Sequence, residues 1–170
     1  IRGGWSFLKW DVSAFMLKYN NRFGTLSETN SEGDFFTYRT NIGNSVTKGM
    51  EIFLQGNWFS GSKLSFSVFT STSLTHSRYK NAVVKSGNEN INVSGNRLES
   101  SPDIIMRNGV TLRFRKISLS ALYSYTGKTY ADALNTVKSP PATGAVGLVP
   151  AYGLMDMNST FRIMKAVQLR

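Results

Sequence analysis

The sequence predicts an all-β chain: an antiparallel up-and-down meander of about six long strands, forming a sector of a larger transmembrane β-barrel. Three observations predict it. Apolar and polar residues alternate with period two over long stretches, which makes strands with two unlike faces. These stretches run to a dozen residues or more, whereas strands of soluble domains are mostly about five or six. The connections alternate between long and short, and soluble domains seldom tolerate long structureless loops on every second connection.

The first strand lies within residues 5–19, where Leu8, Trp10, Val12, Ala14 and Met16 alternate with Lys9, Asp11 and Ser13. A polar loop is expected over 20–34. The second strand covers 35–59, with Met50, Ile52, Leu54 and Trp58 against Glu51, Gln55 and Asn57, and a bulge at Gly43 to Ser45. A tight turn of Ser60, Gly61, Ser62 and Lys63 leads to the third, in which Leu64, Phe66, Val68, Thr70, Thr72 and Leu74 face away from Ser65, Ser67, Ser71, Ser73 and Thr75.

A long loop over 79–103 precedes the fourth strand, which sets Ile104, Met106, Val110, Leu112 and Phe114 against Arg107, Thr111, Arg113 and Arg115. The chain reverses at once near Lys116. The fifth strand offers Ile117, Leu119, Ala121, Tyr123 and Tyr125 against Ser118, Ser120, Ser124, Thr126 and Lys128. After a third long loop over 129–149, the sixth strand spans 151–164, with Met155, Met157, Phe161 and Ile163 opposite Asp156, Asn158, Thr160 and Arg162. No segment reads as a helix, and no run approaches the roughly 18 apolar residues of a transmembrane helix.

The polar face decides between a soluble sandwich and a membrane barrel, because both alternate. Lys9, Asp11, Arg39, Glu51, Gln55, Arg107, Arg113, Lys128, Asp156 and Arg162 are expected on one side of the sheet, among many Ser and Thr. That composition suits a wide, wet lumen. Trp5, Trp58, Phe59, Phe114, Tyr123 and Tyr125 lie near strand ends, where a barrel carries aromatic girdles. Six strands cannot enclose such an interior, since even about eight leave room only for packed side chains. The chain is therefore expected to be one part of a larger barrel, its first residues being a turn already under way.

Composition narrows the chemistry. Lys and Arg number 20 against 10 Asp and Glu, a formal charge of +10, yet no block of consecutive basic residues forms a tail. Cysteine is absent and His76 is the single histidine, which removes thiol nucleophiles, Cys-ligated metals and most triads. No catalytic residue, metal site or cofactor is expected. Gly127, Lys128 and Thr129 resemble the end of a phosphate loop, but Leu122 stands where that loop needs its earlier glycine. The basic residues alternate with small polar ones and no aromatic stacking motif accompanies them, so nucleic acid is not an expected partner.

Several short motifs then carry a family resemblance. Lys48-Gly49-Met50-Glu51, following Asn41-Ile42-Gly43, resembles a Lys-Gly-Val-Glu signature of late barrel strands in TonB-dependent outer-membrane receptors. Gly95-Asn96-Arg97-Leu98 with Pro102 resembles the segment before a descending strand of that family, although Glu99 replaces a usual proline. Tyr130, Asp132, Asn135 and Thr136 resemble the loop motif of the ferric-citrate receptor subgroup, and Gly147, Pro150, Tyr152 and Asp156 match the start of its next strand.

The resemblance covers the whole chain. It implies the later part of a 22-stranded barrel in the bacterial outer membrane, with the plug domain, early strands and final strands lying outside residues 1–170. It also implies capture of an iron chelate, of siderophore or ferric-citrate type, by external loops, and import by TonB-coupled energy. Its partners are outer-membrane lipid and lipopolysaccharide, the remainder of the barrel and plug, the TonB complex acting through the plug, and the ferric chelate. Strand polarity then places Arg39, Arg78, Lys80, Arg97, Arg107 and Lys128 in or near the external half, where positive groups favour an anionic chelate, with Tyr130 as a stacking or hydrogen-bonding surface. For each of them, solvation of the lumen or pairing with lipopolysaccharide phosphates is the alternative. The competing functions are another outer-membrane barrel, such as a porin or a peptide or oligosaccharide importer, and a soluble basic β-sandwich binding module.

Overall fold

The computed structural model describes residues 1–30, 32–59, 63–86, 89–139, 146–164 and 167–169. Among them the regular elements are all strands. In chain order these are β1 (Arg2–Gly4), β2 (Leu8–Thr29), β3 (Phe35–Trp58), β4 (Leu64–Lys80), β5 (Val83–Ser86), β6 (Glu89–Asn92), β7 (Ile104–Phe114), β8 (Ile117–Thr126), β9 (Thr129–Tyr130), β10 (Leu148–Val149), β11 (Tyr152–Met164) and β12 (Val167–Leu169).

One eight-stranded antiparallel sheet follows the order β1-β2-β3-β4-β7-β8-β11-β12. The six predicted strands are β2, β3, β4, β7, β8 and β11, and each pairs with its neighbour in sequence once the loop hairpins are set aside. Short links join strands at one end; at Arg115 and Lys116 only two residues separate the paired Phe114 and Ile117. Of the predicted turn after β3, Ser60, Gly61 and Ser62 lie outside the described residues.

Register sorts the side chains. Ser13, Glu51, Ser73 and Ile105 fall on one rung, and Arg107 stands between Ser71 and Ser124. On the other face Leu54, Val68, Leu74, Leu112, Leu119 and Met157 are exposed, the last at 78%. Tryptophan and phenylalanine gather at the short-turn end of this sheet. The Trp58 and Phe66 rings lie 5.9 Å apart and those of Trp5 and Trp10 5.0 Å apart.

Three features differ from expectation. The loop over 20–34 is mostly strand, because β2 and β3 stay paired as far as Thr29 and Phe35, leaving a tip held by Asn30, whose side-chain oxygen accepts from the backbone N–H groups of Glu32 and Asp34 at 3.0 and 2.7 Å. The long loops contain structure of their own: β5 pairs with β6, and β9 with β10. The expected bulge at Gly43 has a counterpart on β2. Register runs from Tyr19↔Ser45 to Arg22↔Gly43 to Phe23↔Asn41, so one extra residue on β2 is followed by one on β3.

The paired bulges restore register and exchange the faces above them. Below, Ser45 and Glu51 share the polar face; above, Ile42 is buried on that side and Tyr38 packs beside it. Arg39, expected among the polar-face residues, is thereby turned to the opposite face, since alternation separates it from Tyr38 and Thr40.

Candidate functional site

The buried core lies at the loop end of the polar face. Ile42, Tyr79, Ala82, Val84, Val93, Leu98 and Ala133 form it, with Tyr38 and Leu134 packed alongside. Tyr79 is the last polar-face residue of β4 and is fully buried, because the loop after β4 folds back across it. The backbone of Asn81 and Ala82 crosses β3 at Gly43, where a Cβ would lie 2.6 and 2.7 Å from the Asn81 oxygen and the Ala82 Cα. Gly43 also has φ 133°, so the site needs glycine twice over. A Cβ at Gly24 would lie 2.0 Å from Ile42 Cδ1, which lets Ile42 reach Tyr79.

Beyond Ile104, residues 95–103 continue the sheet along β4. The Tyr79 amide donates to the Asn96 carbonyl at 3.0 Å, the Gly95 amide donates back to Tyr79 at 3.0 Å, and the Thr75 amide donates to Asp103 at 2.9 Å. Ser77, buried between them, shares hydroxyl hydrogen bonds with Thr47 at 3.0 Å and Ser101 at 2.9 Å.

The loop over 129–149 is tied to the loop over 79–103. Asn135 accepts from the Arg97 amide and donates to the Arg97 carbonyl, both at 2.8 Å, imitating a strand partner. Asn96 donates its side-chain amide to the carbonyls of Ala133 and Leu134 at 3.0 and 3.3 Å. Buried Asp132 accepts from the Thr136 hydroxyl at 3.0 Å and, through its other oxygen, from the Gly147 amide at 3.2 Å. The Ser100 amide donates to the Tyr130 carbonyl at 2.8 Å. The residues of the Gly-Asn-Arg-Leu and Asp…Asn-Thr motifs therefore clasp one another.

A polar pair lies beneath the clasp. The Tyr79 hydroxyl donates to the Glu99 carboxylate. Burial, then this hydrogen bond and the charge of Glu99, raise the Tyr79 phenol above its ordinary range, with Arg22 partly opposing, so it stays a donor. Arg22 also stands 5.7 Å from the ring centre of Tyr19. The sequence pattern does not single out Arg22 or Tyr79, because neither belongs to a motif and the bulge hides the alternation around Arg22, while Glu99 stands out only as a departure from the motif's usual proline.

The predicted site residues do not converge. Arg107 is exposed on the polar face between Ser71 and Ser124. Lys128 and Tyr130 stand at the start of the loop over 129–149, where Tyr130 pairs with Leu148. Arg78 and Lys80 alternate with buried Ser77 and Tyr79 and so occupy the opposite face, where Arg97 bridges to Arg78 and its guanidinium pairs with Asp103. With Arg39, four of the seven turn away from the polar face.

The rest of that face is lined by small hydroxyls and paired charges. Arg2 donates twice to Asp11, at 2.9 and 2.6 Å, and Thr111 and Ser120 share a hydrogen bond at 3.1 Å. At the short-turn end Arg113, Arg115, Lys116 and Arg162 surround a cleft of about 310 Å³ with Ser118 and Thr160. Among the described residues no group of three or more His, Asp and Glu side chains converges as a metal site would need. The arrangement provides reversible contacts through hydroxyls, amides and cations on a wall closed by loops.

A family model for the TonB-dependent receptor-like β-barrel matches residues 1–170. No curated protein sequence matches the chain. Among solved structures, the siderophore receptor PiuA from Acinetobacter baumannii is similar with a TM-score of 0.65 at 18% identity, over 95% of this chain and 21% of that receptor. At this identity the likeness concerns the fold, and it is the same antiparallel meander. The long-loop end, the short-turn end, the apolar wall and the hydroxyl-lined wall all have their place in such a barrel. The chain belongs to the TonB-dependent receptor β-barrel family, whose members are outer-membrane transport receptors.

Proposed function

We propose that this chain is a sector of the barrel of an outer-membrane receptor that actively imports an iron chelate, of siderophore or ferric-citrate type, with energy coupled through TonB. The observation that carries the reading is the clasp between the two long loops: Asn96 and Asn135 hold them together over the polar face, where a ligand arriving from outside is met first. The remainder of the barrel and a plug complete the lumen, and the plug contacts TonB. Arg107, Lys128 and Tyr130 are the proposed ligand contacts of this sector, since anionic chelates are drawn to cations inside a focusing mouth. The Asp132, Asn135 and Thr136 motif supports the ferric-citrate subgroup as the first ligand to try.

Uptake of radiolabelled ferric citrate and of ferric siderophores by iron-starved cells tests the reading. Accumulation should require the receptor carrying this sequence and should vanish when the inner-membrane TonB complex is deleted. Uptake that persists without that complex would instead identify a passive pore.

A further inference from the structure

The polar face carries a concentration of positive charge at its short-turn end, opposite the clasp. Arg113 on β7, Ser118 on β8 and Thr160 on β11 share one rung, and Arg162 follows on the same face two residues further along β11. The Arg162 amide donates to the Lys116 carbonyl at 2.9 Å, which draws the turn of Arg115 and Lys116 against the end of β11. These residues surround the cleft of about 310 Å³, a volume at the lower end of the roughly 300–1,000 Å³ of small-molecule pockets.

Charge and spacing narrow the occupant. Among the described residues no carboxylate lines the cleft and the ion pairs are Arg2–Asp11 and Arg97–Asp103, so Arg113 and Arg162 lack an acidic partner there. Their Cα atoms stand roughly 12 Å apart by ordinary strand spacing, with Ser118 on the strand between them. Two guanidinium forks at that separation suit a molecule with several carboxylates better than one with a single carboxylate, and the Ser118 and Thr160 hydroxyls add donors. The turn points the same way. Two-residue hairpin connections favour Asn or Gly where φ is positive, yet Arg115 holds φ 53° at the rim, its guanidinium 5.2 Å from the Phe114 ring centre. A cation is kept there at a conformational cost.

We propose that Arg113 and Arg162, with Ser118, Thr160 and the turn cations Arg115 and Lys116, form an anion site at the periplasmic mouth of the lumen that takes a small molecule bearing several carboxylates. Short turns face the periplasm in such barrels, so the site stands where an imported anion leaves. Its position follows from the fold, while the source of its anion rests on the transport reading. Arg107 lies on the same face of β7, six residues and roughly 20 Å nearer the loops, so one wall offers an anion a cation on the way in and a cluster on the way out. The polar-face rung turns these groups away from the apolar wall of Leu112, Leu119 and Met157, which argues against a lipid headgroup.

The receptor carrying this sequence, purified in detergent at low ionic strength, is treated with an arginine-selective dicarbonyl reagent, and modification of Arg113 and Arg162 is followed by peptide mass spectrometry. Free citrate should slow both along one saturation curve, by about sixfold at about five times the midpoint concentration, because only the empty site reacts. Acetate at the same carboxylate concentration should leave both rates near those without anion. Arg107 in the same digest reports on the outer end separately. Arg113→Gln should weaken citrate protection of Arg162 about fivefold. Arg113→Lys, which keeps the charge, should weaken it less, which separates lost charge from lost folding. Citrate protection no greater than that by acetate overturns the proposal. So do arginines already unreactive in the intact receptor, since another segment then fills the cleft, and protection by phosphatidylglycerol but not by citrate, which assigns the cleft to a lipid phosphate. Citrate protection in a receptor that imports no ferric chelate overturns the transport reading and leaves the anion site standing; import without protection does the reverse.

Discussion

Asn135 shows why a loop motif of this kind asks for an amide. Its side chain carries a donor and an acceptor at once, and both are used on the backbone of Arg97. An aspartate would keep only the acceptor. The backbone of Asn135 also has φ 58°, a left-handed conformation that Asn tolerates better than most residues. Two variants separate these demands. Asn135→Ala loses both hydrogen bonds and adds backbone strain, and leaving the Arg97 groups unpaired costs about 1–3 kcal/mol. Asn135→Gly loses the bonds without the strain. Hydrogen exchange of the receptor should show faster exchange at the Arg97 amide in both, and more in the alanine variant, while amides of β7 and β8 stay unchanged. Unaltered protection at Arg97 in the alanine variant would show that the clasp does not depend on this side chain.

At the scale of elements, the paired bulges on β2 and β3 decide which side chains meet the loops. Without them, strict alternation would carry Arg39 to the polar face and Ile42 away from Tyr79. Gly43 is the position that permits this exchange, through its positive φ and the backbone crossing over it. Gly43→Val should therefore open β2 and β3 above Tyr19 and Ser45 and detach the segment around Ala82. The expected cost is about 2–4 kcal/mol, confined to the loop end, from added left-handed strain and overpacking. Limited proteolysis checks it, with new cleavage within residues 20–45 and 81–98 and none within β7, β8 or β11. The same device explains what the sequence disclosed and what it hid. Six strands could be read because burial of one face imposes period two on each. The extension of β2 to Thr29 could not, since the bulge at Asn20 to Arg22 breaks the alternation where the residues also turn polar. Gly43 was recognisable as a bulge, but the compensating residue on β2 has no signature. The ties of Asn96 to Leu134 and of Asn135 to Arg97 join residues nearly forty apart, a pairing that no local pattern encodes.

For the whole molecule, the two faces of the sheet should meet two different solvents. Val68, Leu112 and Met157 lie on the apolar face, and Ser71, Thr111 and Asn158 lie on the other. Residues 1–170 contain no cysteine, so none of them competes with single cysteines placed in this segment. With nitroxides at each of the six positions in the receptor reconstituted into bilayers, molecular oxygen, which concentrates in lipid, should relax the labels at 68, 112 and 157 more strongly. A water-soluble nickel chelate should relax those at 71, 111 and 158. A soluble sandwich buries its apolar face against a second sheet, so neither reagent would reach the first three labels there. The period-two reversal between adjacent residues is the decisive feature, because a label on the wrong face by one residue changes reagent altogether. Extending the series up β4 through residues 74, 76, 78 and 80 then locates the height at which oxygen access falls. The switch from Leu74 to His76, Arg78 and Lys80 on the same face of β4 puts that height between residues 74 and 76.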